Sequence, residues 1–361
     1  MNALGHLHVL AGLLSGGEVV PDWKARLENH QVVWEQLIAH AHWHMVGPGI
    51  HPGLERHDLT DRIPRELLAY FSTLTKLNRK RNERLRQQLA YLGKAINGAG
   101  IQPVLLKGAN TLLPASSVNL SDRMLTDLDV LVDDRDVPIV CRAMESIGYR
   151  GRHARNGRWY QLVDHHLEPM YHDDFPATVE IHVASGMARR WRALAFDSGS
   201  LNVGQSEIDG ALFRQPTVEW RLKHLLIHTA VQDRHLVGRT FELRQLLDLA
   251  SMQKVYAGRI DWSAIQSCLV QCGHGSVLPV WLLLSQSLLG QPVPSAIAIS
   301  NGDLRMTDEI HSVWDDHWFR RYRRALLWSH RLPERMCLLP RKVVTPNWVR
   351  LKLREWLSSN P

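Results

Sequence analysis

The segment from residue 125 to residue 133, LTDLDVLVD, constrains the fold of this chain more than any other stretch. Branched apolar residues alternate in it with polar ones, which predicts a β-strand with one face in the core. Side chains two residues apart on a strand share a face, so Leu128 and Val130 would point into the core. Asp127 and Asp129 would then lie side by side on the opposite face. Two carboxylates held this close repel each other, and a divalent cation between them would relieve the repulsion.

The patterns on either side of this strand predict a small α/β domain between two helical regions. Apolar residues recur at helical spacing in residues 1–98, whereas strand and helix patterns alternate through residues 99–210. In residues 211–361 the chain returns to helical patterns and ends in a basic tail rich in Arg and Trp. We therefore predict an α/β (α+β) fold with a small mixed-sheet core flanked by N-terminal and C-terminal helical regions.

A second strand pattern, VEIHV from residue 179 to residue 183, repeats the arrangement of polar residues. Glu180 and His182 share one face of this strand, and the apolar residues share the other. A third carboxylate on a neighbouring strand would complete a site for two metal ions. Mg²⁺ favours such oxygen ligands together with the phosphates of a substrate.

The stretch LLKGAN, before the aspartate strand, predicts a phosphate-binding turn. An apolar strand runs into Lys107 and Gly108, and a short helix is predicted after them. Glycine lets the backbone approach a phosphate closely, and a helix N-terminus offers unpaired N–H groups to an anion. Lys107 would add charge, and Asn110 a hydrogen bond. Singly, an Asp-x-Asp pair indicates a solvated strand edge and a glycine only a turn; together, in this order, they favour a site.

This order of apolar strand, glycine, short helix, Asp-x-Asp and later acidic strand resembles the DNA polymerase beta nucleotidyltransferase superfamily. More narrowly, the segments LLKGANTLL, RMLTDLDVLV, ESIGY, HHLEPM and VEIHV look like the bacterial nucleotidyltransferase family proteins. The resemblance extends over residues 20–255. It does not name a substrate, because fold and site are shared across many acceptors.

The resemblance implies which residues bind the nucleotide. Lys107 and Gly108, with Asn110, would hold the triphosphate, and Arg123 would contact phosphate just before the aspartate pair. Many members of the superfamily have Gly-Ser or Gly-Gly at the turn, whereas this chain has Gly108-Ala109, in agreement with the narrower family. The chain therefore offers no serine hydroxyl to the phosphate at this position.

The resemblance also implies the metal-binding and catalytic residues. Asp127 and Asp129 would bind two Mg²⁺ ions. Glu180 would be the third carboxylate, a metal ligand that also orients or deprotonates the acceptor hydroxyl. These three carboxylates are the predicted catalytic residues.

Several histidines and cysteines are further candidates for a site. His165, His166, His172 and His182 lie near the third carboxylate in the sequence. Since HHLEPM resembles a family segment, the resemblance implies that His166 and His182 line the site, with zinc as an alternative. The run HAHWH near the N-terminus lacks a paired acidic motif, which favours packed or surface histidines. The two cysteines and one histidine between residues 268 and 274 lack a fourth ligand for zinc.

The composition favours a cytoplasmic globular protein. Hydrophobic residues are 45% and charged residues 22% of the chain, and four cysteines show no disulfide spacing, which fits a reducing compartment. The first residues lack a basic leader followed by a long apolar core. The longest apolar run, VLPVWLLLSQSLLG, is too short to span a bilayer, so we expect a buried helix there.

Positive charge is concentrated in the tail. Residues 305–361 contain 12 Lys and Arg against 6 Asp and Glu, which accounts for six of the seven formal net positive charges. The tail could bind an acidic partner, with RNA the first candidate and an anionic membrane or acidic peptide as others. The alternative is a docked helical tail with solvated arginines. A second basic run, between residues 76 and 86, indicates a solvated helix face or phosphate contacts.

Together, the motifs and the resemblance predict a Mg²⁺-dependent, ATP- or other NTP-binding nucleotidyltransferase. It would move a nucleoside monophosphate to an acceptor hydroxyl or phosphate and release pyrophosphate. The acceptor stays open among a small molecule or peptide natural product, a protein, and an RNA end, including tRNA for a toxin-type enzyme. The rival prediction is a non-catalytic nucleotide-binding or scaffold protein on the same fold.

Overall fold

The structure, a computed structural model, describes residues 3–15, 22–114, 116, 118–151, 162–163, 166–184, 187, 191–195 and 204–315. The chain divides into one unit of Met1–His311 and a second unit of Ser312–Pro361. The part of the predicted basic tail that follows residue 315 lies outside the described residues, as does His165. The sheet and the candidate site belong to the first unit.

The described part of the chain both begins and ends in helices. Its helices are α1 Ala3–Ser15, α2 Trp23–Glu28, α3 Trp34–Trp43, α4 Ile50–Arg56, α5 Arg65–Gly98, α6 Val137–Ser146, α7 Val218–Leu226, α8 His235–Gly238, α9 Leu243–Val255, α10 Trp262–Gln271, α11 Val277–Leu289 and α12 Asn301–Asp315. The long pattern before the core is thus one helix, α5. It ends at Gly98, and Gly100 follows in the left-handed region with φ of 81°.

Nine strands form one mixed sheet in the described residues. The strands are β1 Val104–Leu105, β2 Asp127–Val132, β3 Arg150–Gly151, β4 Leu162–Val163, β5 His166–Leu167, β6 Met170–Tyr171, β7 Thr178–Val183, β8 Gln205–Ile208 and β9 Ala211–Arg214. The order is β3-β6-β7-β2-β1-β9-β8, and β5 pairs with both β4 and β7. Strands β2 and β7 are parallel, as are β1 and β9, and the other pairs are antiparallel. The predicted α/β fold with a mixed sheet is confirmed.

The face of the sheet opposite the aspartates is the core face. Leu128 and Val130 on β2, and Val179 and Ile181 on β7, are fully buried. Apolar side chains of α5 and α6 belong to the same buried cluster. The alternation along β2 and β7 therefore places one row of side chains in the core and the polar row on the other face.

Polar side chains of α5 hold the segments that lead into β2 and β7. Asn82 Nδ2 donates to the carbonyl oxygens of Leu120 and Arg123, at 2.6 and 2.8 Å. Gln88 donates from Nε2 to the carbonyl oxygen of Ala177 at 2.8 Å, and its Oε1 accepts from the Ala177 N–H at 3.3 Å. Both side chains are buried and satisfy loop backbone groups that strand pairing does not reach. One helix thus fixes the approach to both acidic strands.

The basic run on α5 is only partly the solvated face that was predicted. Lys80 is exposed. Arg81, in contrast, donates to the carbonyl oxygen of Leu125, and Arg86 Nε donates to that of Leu112 at 3.0 Å. These arginines therefore bond backbone in the segment between β1 and β2.

A hairpin formed by β8 and β9 was not predicted. Its turn is Asp209-Gly210, and both residues have positive φ, 48° and 83°, as a type I′ hairpin turn requires. An Asp-Gly pair between alternating residues is a hairpin signal, so QSEIDGALFR contained the information. Since β9 pairs with β1, the sheet extends beyond residue 210, where the core was predicted to end.

The run VLPVWLLLSQSLLG forms α11, most of whose residues are buried, as predicted. Among the described residues, none of the helices has the length and apolar character needed to cross a membrane.

Candidate functional site

Parallel pairing of β2 with β7 brings the two acidic patterns together. In this register Asp129 lies opposite Glu180, and Asp127 lies opposite Thr178. One ligand atom from each of Asp129, Glu180 and His182 lies within 4.8 Å of the others. Within the described part of the chain this is the one group of at least three His, Cys, Asp or Glu side chains arranged in this way. We call these three residues the acidic cluster.

Asp129 is the buried centre of the acidic cluster. Its side chain is 2% exposed, and its Oδ1 accepts hydrogen bonds from Lys107 Nζ and His182 Nε2, each at 2.7 Å. An ionised carboxylate only accepts, so Nε2 of His182 carries the proton. The same Nε2 lies 3.8 Å from Glu180 Oε2. The Lys107 ammonium therefore balances a carboxylate that burial alone would disfavour.

Asp127 differs from Asp129 in its surroundings. It is half-buried, and its Oδ1 accepts a hydrogen bond from Thr126 Oγ1 at 3.0 Å. Strand alternation puts it on the same face as Asp129, but its carboxylate is not part of the acidic cluster. Its negative charge still contributes to raising the pKa values of Glu180 and Lys107. The predicted pair is thus asymmetric, with one aspartate buried and bonded and the other more open.

Burial and neighbouring charge set the protonation states of the cluster. Burial works to raise the pKa of Asp129, but the Lys107 ammonium and the His182 hydrogen bond outweigh it and hold that pKa well below its usual range. Burial, followed by the charge of Asp129, raises the pKa of Glu180. Burial also lowers the pKa of His182 to about 4, so its imidazole is neutral at pH 7. For Lys107, burial disfavours the charge, yet the adjacent carboxylates prevail and raise its pKa.

Lys107 begins a 3₁₀ turn, Lys107–Leu112, where a short helix was predicted. Its φ of 44° lies in the left-handed region, which residues other than glycine seldom adopt. Asn110, in the same turn, donates from Nδ2 to the carbonyl oxygens of Leu105 and Lys107, at 3.0 and 3.4 Å. The amide donor that was expected to bond phosphate therefore holds the turn that presents Lys107 to Asp129.

Gly108 is in close contact with two side chains. A Cβ at this position would lie 2.4 Å from Leu125 Cδ2 and 3.3 Å from Arg123 Nη1. Its φ is not among the positive ones, so the requirement for glycine comes from space and not from backbone conformation. Phosphate approach was the predicted reason for this glycine, and close packing is a second and independent reason.

We expect Gly108→Ala to lower the free energy of unfolding by about 1–3 kcal/mol, because the added methyl group overpacks a buried contact. Gly98→Ala is the matched control, since a Cβ at Gly98 would meet no atom within 4 Å. Replacing glycine near a helix end is expected to change stability by no more than about 1 kcal/mol. Urea unfolding of both variants measures the difference, and equal midpoints would show that the packing around Gly108 is not limiting.

Arg123 is bonded to Asp248 on α9. Its Nε and Nη2 donate to the two carboxylate oxygens at 2.8 and 2.6 Å, and its Nη1 donates to the Met124 carbonyl oxygen at 2.9 Å. Such a two-pronged pair fixes the guanidinium plane. Asp248 was not singled out from the sequence, because one aspartate in a helical pattern gives no signal of its partner. The predicted phosphate contact of Arg123 stays a prediction.

The structure separates the predicted histidines. The ring of His166 lies 5.5 Å from that of His182, centroid to centroid, so His166 lies beside the acidic cluster. His172 instead forms a hydrogen bond with the Ile147 carbonyl oxygen at 3.0 Å and contacts the Tyr149 ring. Among the described residues, His182 is the one histidine in a potential metal-binding group, and the zinc alternative stays a prediction.

A cavity of about 250 Å³ adjoins Lys107, and none of the acidic cluster's carboxylates lines it. Its wall combines the 3₁₀ turn with α7 and α9; residues from these elements include Lys107, Asn110, Trp220, His224, Gln245 and Asp248. The residues from α7 and α9 were predicted to be helical and not to be part of a site. We call this space the Lys107 cavity.

The acidic cluster fits a divalent cation by the chemistry of its donors. Two carboxylates converge, and Asp127 adds negative charge nearby. The Lys107 ammonium on Asp129 shows that this position accommodates positive charge. Carboxylate oxygens are the ligands that Mg²⁺ prefers. The Nε2–H of His182, which bonds Asp129, supports one of these carboxylates and does not itself coordinate.

Comparison with models of known protein families matched residues 30–290 to one family, described as uncharacterised nucleotidyltransferase. The matched range is more than half of the chain and contains the acidic cluster, Lys107 and the residues lining the Lys107 cavity. Comparisons with curated proteins and with solved structures gave no match.

Proposed function

We propose, from the premise that this chain belongs to the uncharacterised nucleotidyltransferase family, that it transfers a nucleoside monophosphate from an NTP to an acceptor with the help of Mg²⁺. The observation that carries the proposal is the alignment of Asp129 with Glu180 on adjacent parallel strands, beside Lys107. Lys107 balances one carboxylate, and a second carboxylate beside it is unfavourable without a further cation, which points to a role in chemistry.

The turn that carries Lys107 and Gly108 would bind the triphosphate. Lys107 supplies a permanent positive charge. The adjacent carboxylates raise its pKa, and their effect is larger than the opposing effect of burial. Gly108 allows the backbone to lie close to neighbouring groups. A lysine on a tight turn next to carboxylates is suited to phosphates that arrive together with a metal ion.

Asp129 and Glu180 would hold the metal, with Asp127 as the more open ligand for a second ion. Bound Mg²⁺ would neutralise charge on the phosphates and favour in-line attack at the α-phosphorus. The Nε2–H of His182 donates a hydrogen bond to Asp129, and this bond fixes the orientation of the carboxylate. Such a supporting hydrogen bond is typical around metal ligands.

Glu180 would accept the proton of the acceptor hydroxyl. The hydroxyl oxygen forms a bond with the α-phosphorus, the bond from that phosphorus to the bridging oxygen breaks, and pyrophosphate leaves. The raised pKa of Glu180, caused by burial and by the charge of Asp129, makes it a stronger base than an ordinary glutamate. His166 lies on the same side of the sheet and would line the acceptor's approach.

Incubation of the full chain with each α-labelled NTP, Mg²⁺ and cell extract tests the proposal. We expect one class of molecule in the extract to gain a nucleotide, with release of pyrophosphate. Mass spectrometry of the labelled product would separate a small molecule or peptide, a protein and an RNA end. Tight NTP binding without release of pyrophosphate from any extract would instead support a non-catalytic nucleotide-binding protein.

A further inference from the structure

The Lys107 cavity contains several buried polar atoms that have no hydrogen-bond partner among the described residues. They are Asn110 Oδ1, His224 Nε2, Arg244 Nε and Gln245 Oε1. The side chains of Asn110, His224 and Gln245 are nine-tenths or more buried. Native proteins pair nearly all such groups, so this concentration at one cavity indicates a site built for a polar molecule.

The orientation of the two side-chain amides is fixed by their other bonds. Asn110 Nδ2 donates to two carbonyl oxygens, and Gln245 Nε2 lies 3.5 Å from the carboxylate of Asp233. Exchanging nitrogen and oxygen would place an acceptor against an acceptor in each case. Asn110 Oδ1 and Gln245 Oε1 are therefore unpaired acceptors on side chains that line the cavity, and N–H or O–H donors from a ligand would satisfy them.

The position of the cavity assigns it to the nucleotide and not to the acceptor. Lys107 lines the cavity and also bonds Asp129, so the cavity adjoins the proposed triphosphate site. Glu180, which the acceptor hydroxyl must reach, is absent from the wall. Aromatic and aliphatic side chains, among them Trp220 and Tyr256, complete the lining and suit a flat ring.

We infer that the Lys107 cavity binds the base of the NTP and selects bases that carry an amino group. This inference rests on the proposed function. An exocyclic amino group brings two N–H donors, which matches the two amide oxygens, whereas hypoxanthine and uracil in a nucleotide each bring one. Arg244 Nε, a donor, would meet a ring nitrogen or carbonyl oxygen of the base. A site built on such bonds rejects an analogue that leaves one of its groups unpaired.

Matched pairs of triphosphates test the inference without any transfer step. The probes are the α,β-methylene analogues of ATP and ITP and those of CTP and UTP, titrated calorimetrically into the full chain with Mg²⁺. Within a pair the amino group is replaced by oxygen. We expect the amino member of whichever pair binds to have a Kd roughly 10- to 100-fold lower, as expected for one unpaired buried group.

Gln245→Met removes one amide oxygen at similar side-chain length. We expect the amino analogue to lose about tenfold in affinity and the preference over its oxo partner to shrink accordingly. Gln253→Met is the matched control, because Gln253 lies on the same helix, α9, and does not line the cavity. The control should keep the full preference. Circular dichroism establishes whether each variant is folded, and the wild-type pairs decide the question if Gln245→Met is not.

The outcomes separate this inference from the proposed function. Equal affinities within both pairs would overturn amino-group selection, and would mean that water or sugar hydroxyls satisfy the amide oxygens, while the chain would still bind NTPs. A preference that survives in Gln245→Met but falls in Gln253→Met would also overturn it. Absence of binding by all four analogues would overturn the proposed function and, with it, this inference.

Discussion

Asp127→Asn and Asp129→Asn will each reduce nucleotide transfer by at least about 10²–10³-fold, a loss comparable to removing a group that stabilises transition-state charge. The two variants will differ in stability. Asp129 is buried and accepts bonds from Lys107 and His182, whereas Asp127 is half-buried and bonded to its neighbour Thr126. Strand alternation predicted both aspartates on the polar face of β2, and the structure buries Asp129 on that face to 2% exposure.

Removing the charge of Asp129 leaves the Lys107 ammonium, which is 23% exposed, without its counter-ion. We expect a loss of about 2 kcal/mol, less than the 3–5 kcal/mol that follows when a buried ion pair is broken outright. Asparagine keeps an oxygen that can accept a hydrogen bond, and the repulsion with Glu180 is relieved. Asp127→Asn should remain within about 0.5 kcal/mol of the wild type, as surface substitutions usually do.

Thermal unfolding and labelled-NTP turnover, measured on the same preparations, would show both effects. Asp133→Asn, an exposed change just beyond the end of β2, is the matched control and should alter neither quantity. Full activity in Asp127→Asn would remove that residue from the site. Unchanged stability in Asp129→Asn would mean that the Lys107 ion pair contributes nothing to the fold.

Glu180→Gln will lower turnover by about 10²–10⁴-fold while NTP affinity stays nearly intact, because a general base acts on the acceptor in the transition state. The raised pKa of Glu180 has a consequence for pH dependence. Below that pKa the carboxyl is protonated and cannot accept a proton, so activity falls as pH decreases through it. The acidic limb of kcat/KM, which reports the free enzyme before Mg²⁺ and NTP bind, therefore lies above the ordinary range of a glutamate.

The variant should lack this limb, whereas Glu83→Gln, an exposed change on α5, should keep both the limb and the rate. Calorimetric titration with a non-transferable NTP analogue separates the two roles of Glu180. If affinity falls in parallel with turnover, Glu180 is chiefly a metal ligand, and another group must accept the proton.

Short-range patterns predicted the acidic strands but not what surrounds them. Alternation along β2 and β7 was sufficient to place Leu128 in the core and Asp129 on the other face, because the period of a strand is a local property. The bonds of Asp129 to Lys107 and His182 join residues 22 and 53 positions apart. No local pattern indicates which long-range partner a buried carboxylate will have.

The sequence did not reveal that the C-terminal helices α7 and α9 line the Lys107 cavity, for the same reason. Helical spacing predicted α7 and α9 as elements, but their faces toward the Lys107 cavity depend on how they pack against the 3₁₀ turn. His224 and Gln245 have the spacing of ordinary buried helix positions. The β8–β9 hairpin is a different case, because its Asp-Gly turn was a readable signal in the sequence.

The bonds from α5 to the segments before β2 and β7 bear on how this protein can diversify. Asn82 and Gln88 anchor those segments to one rigid helix, so the alignment of Asp129 with Glu180 does not depend on loops that an acceptor would contact. Insertions or substitutions in such loops can then alter which acceptor is used while the proposed catalytic carboxylates keep their spacing. The same scaffold is thereby free to serve new substrates over evolutionary time, at little risk to its chemistry.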